Sequence, residues 1–89
     1  MAMYGMDIEQ VRQLATLFGQ KADDIQQIIQ TVSSRLSSTN WVGPDADQFE
    51  NDWNSTLVPD LRRVEQSLRD AQQKANKNAS DQSSTSASL

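Results

Sequence analysis

The sequence predicts an all-α protein, an antiparallel two-helix hairpin that pairs into a four-helix bundle dimer. Three observations carry this. Apolar residues recur at alternating spacings of three and four along two long stretches. A short segment holding Trp41, Gly43 and Pro44 separates the stretches. Folding the chain back at that segment sets each apolar position of one stretch against an apolar position of the other.

The first helix is expected over about 7–38. Its seam is Ile8, Val11, Ala15, Phe18, Ala22, Ile25, Ile29, Val32 and Leu36, an uninterrupted heptad pattern. Asp7 suits the N-cap, with Gln10 at the third helical position and Met6 placed to pack on Val11 as a hydrophobic staple. Such a helix is about 48 Å long at ~1.5 Å per residue.

The turn, 39–44, ends at Pro44, whose fixed φ and missing N–H suit a first helical turn. Asp45 and Asp47 follow, where the helix dipole favours negative charge. The second helix, about 45–78, carries Ala46, Phe49, Trp53, Leu57, Leu61, Val64, Leu68, Ala71 and Ala75 as its seam. In the folded-back register Leu36 faces Phe49, Val32 faces Trp53, Ile29 faces Leu57 and Ile25 faces Leu61. Ala22 then faces Val64, Phe18 faces Leu68, Ala15 faces Ala71 and Val11 faces Ala75.

Pro59 conflicts with this helix, because it removes a hydrogen bond to Ser55 and disfavours helical angles at Val58. A kink is expected there, with a full break into two shorter helices as the alternative. The register agrees: Phe49 to Leu61 takes twelve residues where the opposing Ile25 to Leu36 takes eleven, so one residue must be absorbed nearby. Residues 1–79 thus form the hairpin. Residues 80–89, rich in Ser and poor in anything to bury, are expected to be a disordered tail.

Leu14, Leu17 and Ile28 lie beside the first seam and Val58 beside the second. A hairpin alone would leave these flanks wet. Ordering the backbone costs ~1–2 kcal/mol per residue and each large apolar side chain returns only ~1.5–3 kcal/mol on burial, so a single hairpin is marginal and a second copy is expected to cover the flanks.

Composition narrows the function. The chain has 89 residues, one small domain's worth. A net charge of −4 supplies no basic face for nucleic acid. Without Cys or His there is no thiolate chemistry and no usual zinc site, and no metal or other cofactor is implied. The opening Met-Ala-Met-Tyr-Gly-Met-Asp holds neither a basic residue nor an apolar core, so export through the general secretory signal is not expected.

Asp45, Asp47, Glu50 and Asp52 suggest a calcium loop only superficially. Phe49 and Glu50 stand where a ligand and Gly are needed, and Thr56 where the bidentate Glu belongs, so a solvated helix start is the better reading. No cleft is implied that would perturb these carboxylates, and enzyme activity is not expected. Asn54-Ser55-Thr56 and Asn78-Ala79-Ser80 match the glycosylation sequon, which short triplets do by chance. The polar faces are not basic, which disfavours a membrane-binding helix.

Trp41 has a plain structural reading: it closes the hairpin tip over Leu36 and Phe49, while Gly43 supplies backbone angles or a close approach that a side chain forbids. That reading leaves open whether the turn also chooses a partner or a destination.

Two heptad helices joined by Trp41-Val42-Gly43, with Phe49 and Trp53 early in the second helix, resemble the WXG family of ESAT-like type VII secretion substrates, over nearly the whole chain. Asn40-Trp41-Val42-Gly43-Pro44-Asp45, Asp52-Trp53-Asn54-Ser55 and Asn78-Ala79-Ser80-Asp81-Gln82 are similar to an actinobacterial branch. The resemblance implies hairpins paired as a homodimer, or as a heterodimer with a related protein, exported folded by the type VII machinery, and no catalysis. It also implies a composite export signal, Trp41 and Gly43 on one subunit beside a C-terminal Tyr-x-x-x-Asp/Glu on the other. Here the pattern departs. The only tyrosine is Tyr4, and aligning the acidic end to Asp81 puts Lys77 in the tyrosine position. Either the partner supplies that half, or the segment with Asn78, Asp81 and Gln82 is read differently. Three functions follow: a secreted WXG-type protein, cytoplasmic before export; a partner or escort for a larger co-secreted effector; or, independently of the resemblance, a cytosolic coiled-coil scaffold.

Overall fold

The computed structural model describes residues 5–88, with side chains through residue 84. Tyr4 and Leu89 lie outside the described residues. α1 spans Ile8–Ser38, α2 Pro44–Asp52 and α3 Val58–Ser88, and a π-helical turn, Trp53–Leu57, joins α2 to α3. The described residues are all helix and turn, folded as an antiparallel hairpin in which α3 returns along α1. The rod measures 68 × 18 × 18 Å.

α1 starts where its first free amides find an acceptor: the Gln10 amide donates to Asp7 Oδ1 at 3.0 Å. It ends where the Thr39 hydroxyl turns back to the Arg35 carbonyl at 2.6 Å. α2 opens without a side-chain cap, on Pro44 and two acidic residues.

The chain does not break at Pro59. Asp52, Trp53 and Val58 all keep right-handed helical angles, Val58 at φ −63°, ψ −48°, despite the steric push that proline exerts on the residue before it. The surplus residue is absorbed one turn earlier. The Val58 amide reaches back five residues to the Trp53 carbonyl, a widened turn next to the place where the proline ring would press on the Ser55 carbonyl of a regular helix.

That turn changes which face of the second helix meets α1. Val58, Leu61, Glu65, Leu68, Gln72, Ala75 and Gln82 are half-buried and Ala79 is fully buried, a seam of alternating threes and fours. Leu57 and Val64, expected opposite Ile29 and Ala22, are instead 44% and 48% exposed. One added residue rotates all that follows by about 100°, so Val58 takes the place expected of Leu57. On α1 the seam holds Ala15, Gly19, Ala22 and Ile29, fully buried, with Ser33 turned inward and Val32 left at the edge.

The segment 80–88, expected as a tail without structure, continues α3 to Ser88. Ala79 continues the buried face one turn past Ala75, and Lys77 pairs with Asp81 at 2.7 Å along the outer surface. Packing on α1 carries the helix further than its composition alone would.

Candidate functional site

The tip of the hairpin is the first candidate. Thr39 is extended at φ −83°, ψ 129°, and the Trp41 amide closes a small turn onto the Thr39 carbonyl at 3.0 Å. Gly43 sits at φ 128°, ψ 178°, a conformation closed to residues with a Cβ. A Cβ at Gly43 would meet no atom within 4 Å. Of the two reasons for glycine offered by the sequence, backbone angle is therefore the operative one.

This backbone leaves Trp41 across the tip with its ring centroid 5.5 Å from that of Phe49, tilted by 51°. Neither ring is buried; each is 45% exposed, and Val42 beside them is 88% exposed. Together with Val32 and Leu36 they wall a shallow groove of about 410 Å³, with Arg35 and Thr39 on its rim. The groove has an aromatic and aliphatic floor and a cationic edge.

The other tryptophan is a contrast. Trp53 is 7% exposed, and its indole Nε1–H donates to Ser33 Oγ at 2.9 Å. Nothing in the spacing of apolar residues pointed to Ser33 as its partner, since the register placed Val32 there. The reason is general: a buried indole must satisfy its N–H, and a serine one position round the helix does so.

Asn78, Asp81 and Gln82 lie far from the turn. α3 carries them back toward the start of α1, about 50 Å from Pro44 at ~1.5 Å per residue. Within one chain the two halves of the expected signal are not brought together. Asn78 and Asp81 are exposed and Gln82 is half-buried.

The third candidate is a face. Leu14, Leu17, Ile28 and Val32 on α1 are 36–46% exposed, alongside Leu57 and Val64 on the second arm. Of the remaining expected packing residues, Val11, Phe18, Ile25, Leu36, Leu61 and Leu68 are half-buried and Ile29 is buried. Sequence reasoning missed Gly19, buried at the seam so closely that a Cβ there would come within 2.6 Å of Gln72 Nε2. It also missed the tie between the arms, Arg69 donating to Asp23 Oδ1 at 3.1 Å and to Glu65 Oε2 at 2.9 Å. Those hydrogen bonds, Glu65 first and Asp23 second, hold the Arg69 guanidinium above its ordinary pKa.

Among the described residues no group of three or more His, Cys, Asp or Glu side chains is gathered to hold a metal ion. None of the described helices is long and apolar enough to cross a membrane. No family model, curated protein or solved structure matches the chain.

Proposed function

We propose that the chain is a non-enzymatic WXG-type protein that pairs with a second copy as a four-helix bundle and is exported folded through type VII secretion. The observation that carries this reading is the state of Trp41. Its ring is held by a glycine-only backbone at the tip of the hairpin, yet stays 45% exposed beside a groove, while Trp53 supplies the buried aromatic. Trp41, Val42 and Phe49 together expose apolar surface at the tip, and contiguous apolar surface of this kind marks contact sites.

Pairing is supported by surface area. The chain exposes 6734 Å² where a compact protein of its mass exposes about 5,200 Å². The excess of about 1,500 Å² belongs to a thin rod, and laying a second rod along it removes surface on the scale of a standard interface, about 800 Å² per partner. The two halves of an export signal that lie about 50 Å apart in one chain can meet only between chains, with the arms of two copies running opposite ways.

The test is Trp41→Ala expressed in a host with a working type VII system. The expected result is a folded helical dimer that no longer reaches the medium. Normal export of folded Trp41→Ala protein would falsify the role of the turn in secretion. Co-purification of a larger protein with the exported chain would instead identify an escort.

A further inference from the structure

The second arm carries two stripes one residue apart. Val58, Glu65 and Gln72 belong to the stripe that meets α1; Leu57, Val64 and Ala71 precede them one by one. A regular helix running on from Trp53 would turn the more apolar set inward. The structure does the opposite: Glu65 enters the seam with its side chain only 15% exposed, tied by Arg69 and Arg62, while Leu57 and Val64 stand nearly half in water. A hairpin built to be stable by itself would not make that exchange.

We propose that the π turn at Trp53–Leu57, held open by Pro59, is a rotational setting: it turns Leu57 and Val64 out of the hairpin seam and so builds the face on which a second copy docks. This rests on the homodimer proposed above. On α1, too, the exposed residues come one position before the seam: Leu14 before Ala15, Ile28 before Ile29, Val32 before Ser33. One residue back is about 100° round a helix, and because the arms run in opposite directions these two rotations point to the same side of the hairpin. The π turn therefore aligns the exposed stripe of the second arm with that of α1, making one strip whose apolar members are Leu14, Ile28, Val32, Leu57 and Val64 and whose charged members are Lys21, Asp60 and Lys74. The occupant is a second copy, because each rod exposes about 1,500 Å² more than a compact chain of its mass, ample for the roughly 800 Å² per partner that a standard interface removes.

The experiment compares wild type, Pro59→Ala, and Pro59→Ala with Ser55 deleted, by light scattering over a dilution series and by far-UV circular dichroism. Pro59→Ala lets the segment close into a regular helix, which swings Leu57 and Val64 inward; the expected result is full helicity with a dimer dissociation constant raised at least tenfold. Deleting Ser55 in that background removes the surplus residue, restores the original rotation without a π turn, and should return the dimer. Val64→Glu should dissociate the dimer and leave the hairpin folded. A dimeric wild type with Pro59→Ala equally dimeric overturns this proposal alone, as does loss of helicity in Pro59→Ala, failure of the Ser55 deletion to restore pairing, or unfolding of the hairpin by Val64→Glu. A monomeric wild type removes the second copy, and with it both this proposal and the dimer on which it rests.

Discussion

Replacing each tryptophan by alanine separates the two roles assigned to them. A fully covered tryptophan removes about 250 Å² from water. Trp41, 45% exposed, keeps about 140 Å² covered, and Trp53, 7% exposed, about 230 Å². At about 25 cal/mol per Å² these are upper bounds of about 3.5 and 6 kcal/mol. Subtracting what alanine itself buries, and allowing for a denatured chain that is already partly compact, brings them to about 2 and 4 kcal/mol. Trp53→Ala also strands the Ser33 hydroxyl, which loses its indole donor. A domain of this size has about 5–10 kcal/mol in total, so Trp41→Ala should keep most of its stability, whereas Trp53→Ala should lose about half of it or more and melt at a much lower urea concentration. Urea unfolding followed by circular dichroism at 222 nm, at one fixed protein concentration, reads both without relying on the fluorophores removed. Equal losses for the two variants would refute the reasoning, because they would mean that Trp41 is as much a core residue as Trp53.

Other expectations follow from single positions. Gly43→Ala should cost about 1–3 kcal/mol through backbone strain alone, since nothing crowds the site; an unchanged melting temperature would show that the turn relaxes freely. Gly19→Ala should be neutral or stabilise by up to about 1 kcal/mol, because alanine favours the helix and the atoms in its way are the mobile end of Gln72; a clear drop in the urea midpoint would show that Gln72 is fixed. The Asp81 hydrogen bond raises the Lys77 pKa above the ordinary 10.5, so its contribution is complete below that pH and disappears as pH rises through the folded value. Wild type and Lys77→Met should therefore differ in helicity at pH 8 and converge in strong alkali, and a difference that persists there would rule out this ion pair as its source.

The helical hairpin was legible because its signals are local and repeated. Asp7 caps α1, Pro44 opens α2, and the heptad spacing declares both arms. The need to absorb one residue near Pro59 was legible too, as a mismatch of twelve against eleven. The form it took was not. A seam drawn from apolar spacing chooses Leu57 and Val64 over Val58 and Glu65, because pattern alone counts hydrophobicity and ignores what a proline four residues on does to a carbonyl. The same blindness hid Ser33, Gly19 and Arg69: each is defined by an atom on the opposite arm, and one arm's sequence carries no mark of it. At the tail the error ran the other way. A serine-rich composition says that a segment cannot hold a helix by itself, and gives no weight to Ala79 reaching a neighbour that holds it.

Among the described residues the buried apolar ones are few, and four of them, Ala15, Ala22, Ala46 and Ala79, are alanines, with Ile29 and Trp53 the large ones. Both large ones lie toward the turn, with Trp53 joined to Ser33 across 20 residues of chain, whereas Asp23 and Arg69 are 46 apart. Closing the longer loop before the shorter costs only about 0.7 kcal/mol more in chain entropy, yet it returns much less contact. Folding should therefore zip from the Trp53 end toward the termini, and opening should run backwards along the same path. The free ends of such a rod breathe while its tip stays closed, so amide exchange in the native state should grow steadily faster from Ser33 toward Ile8 and from Trp53 toward Ala79.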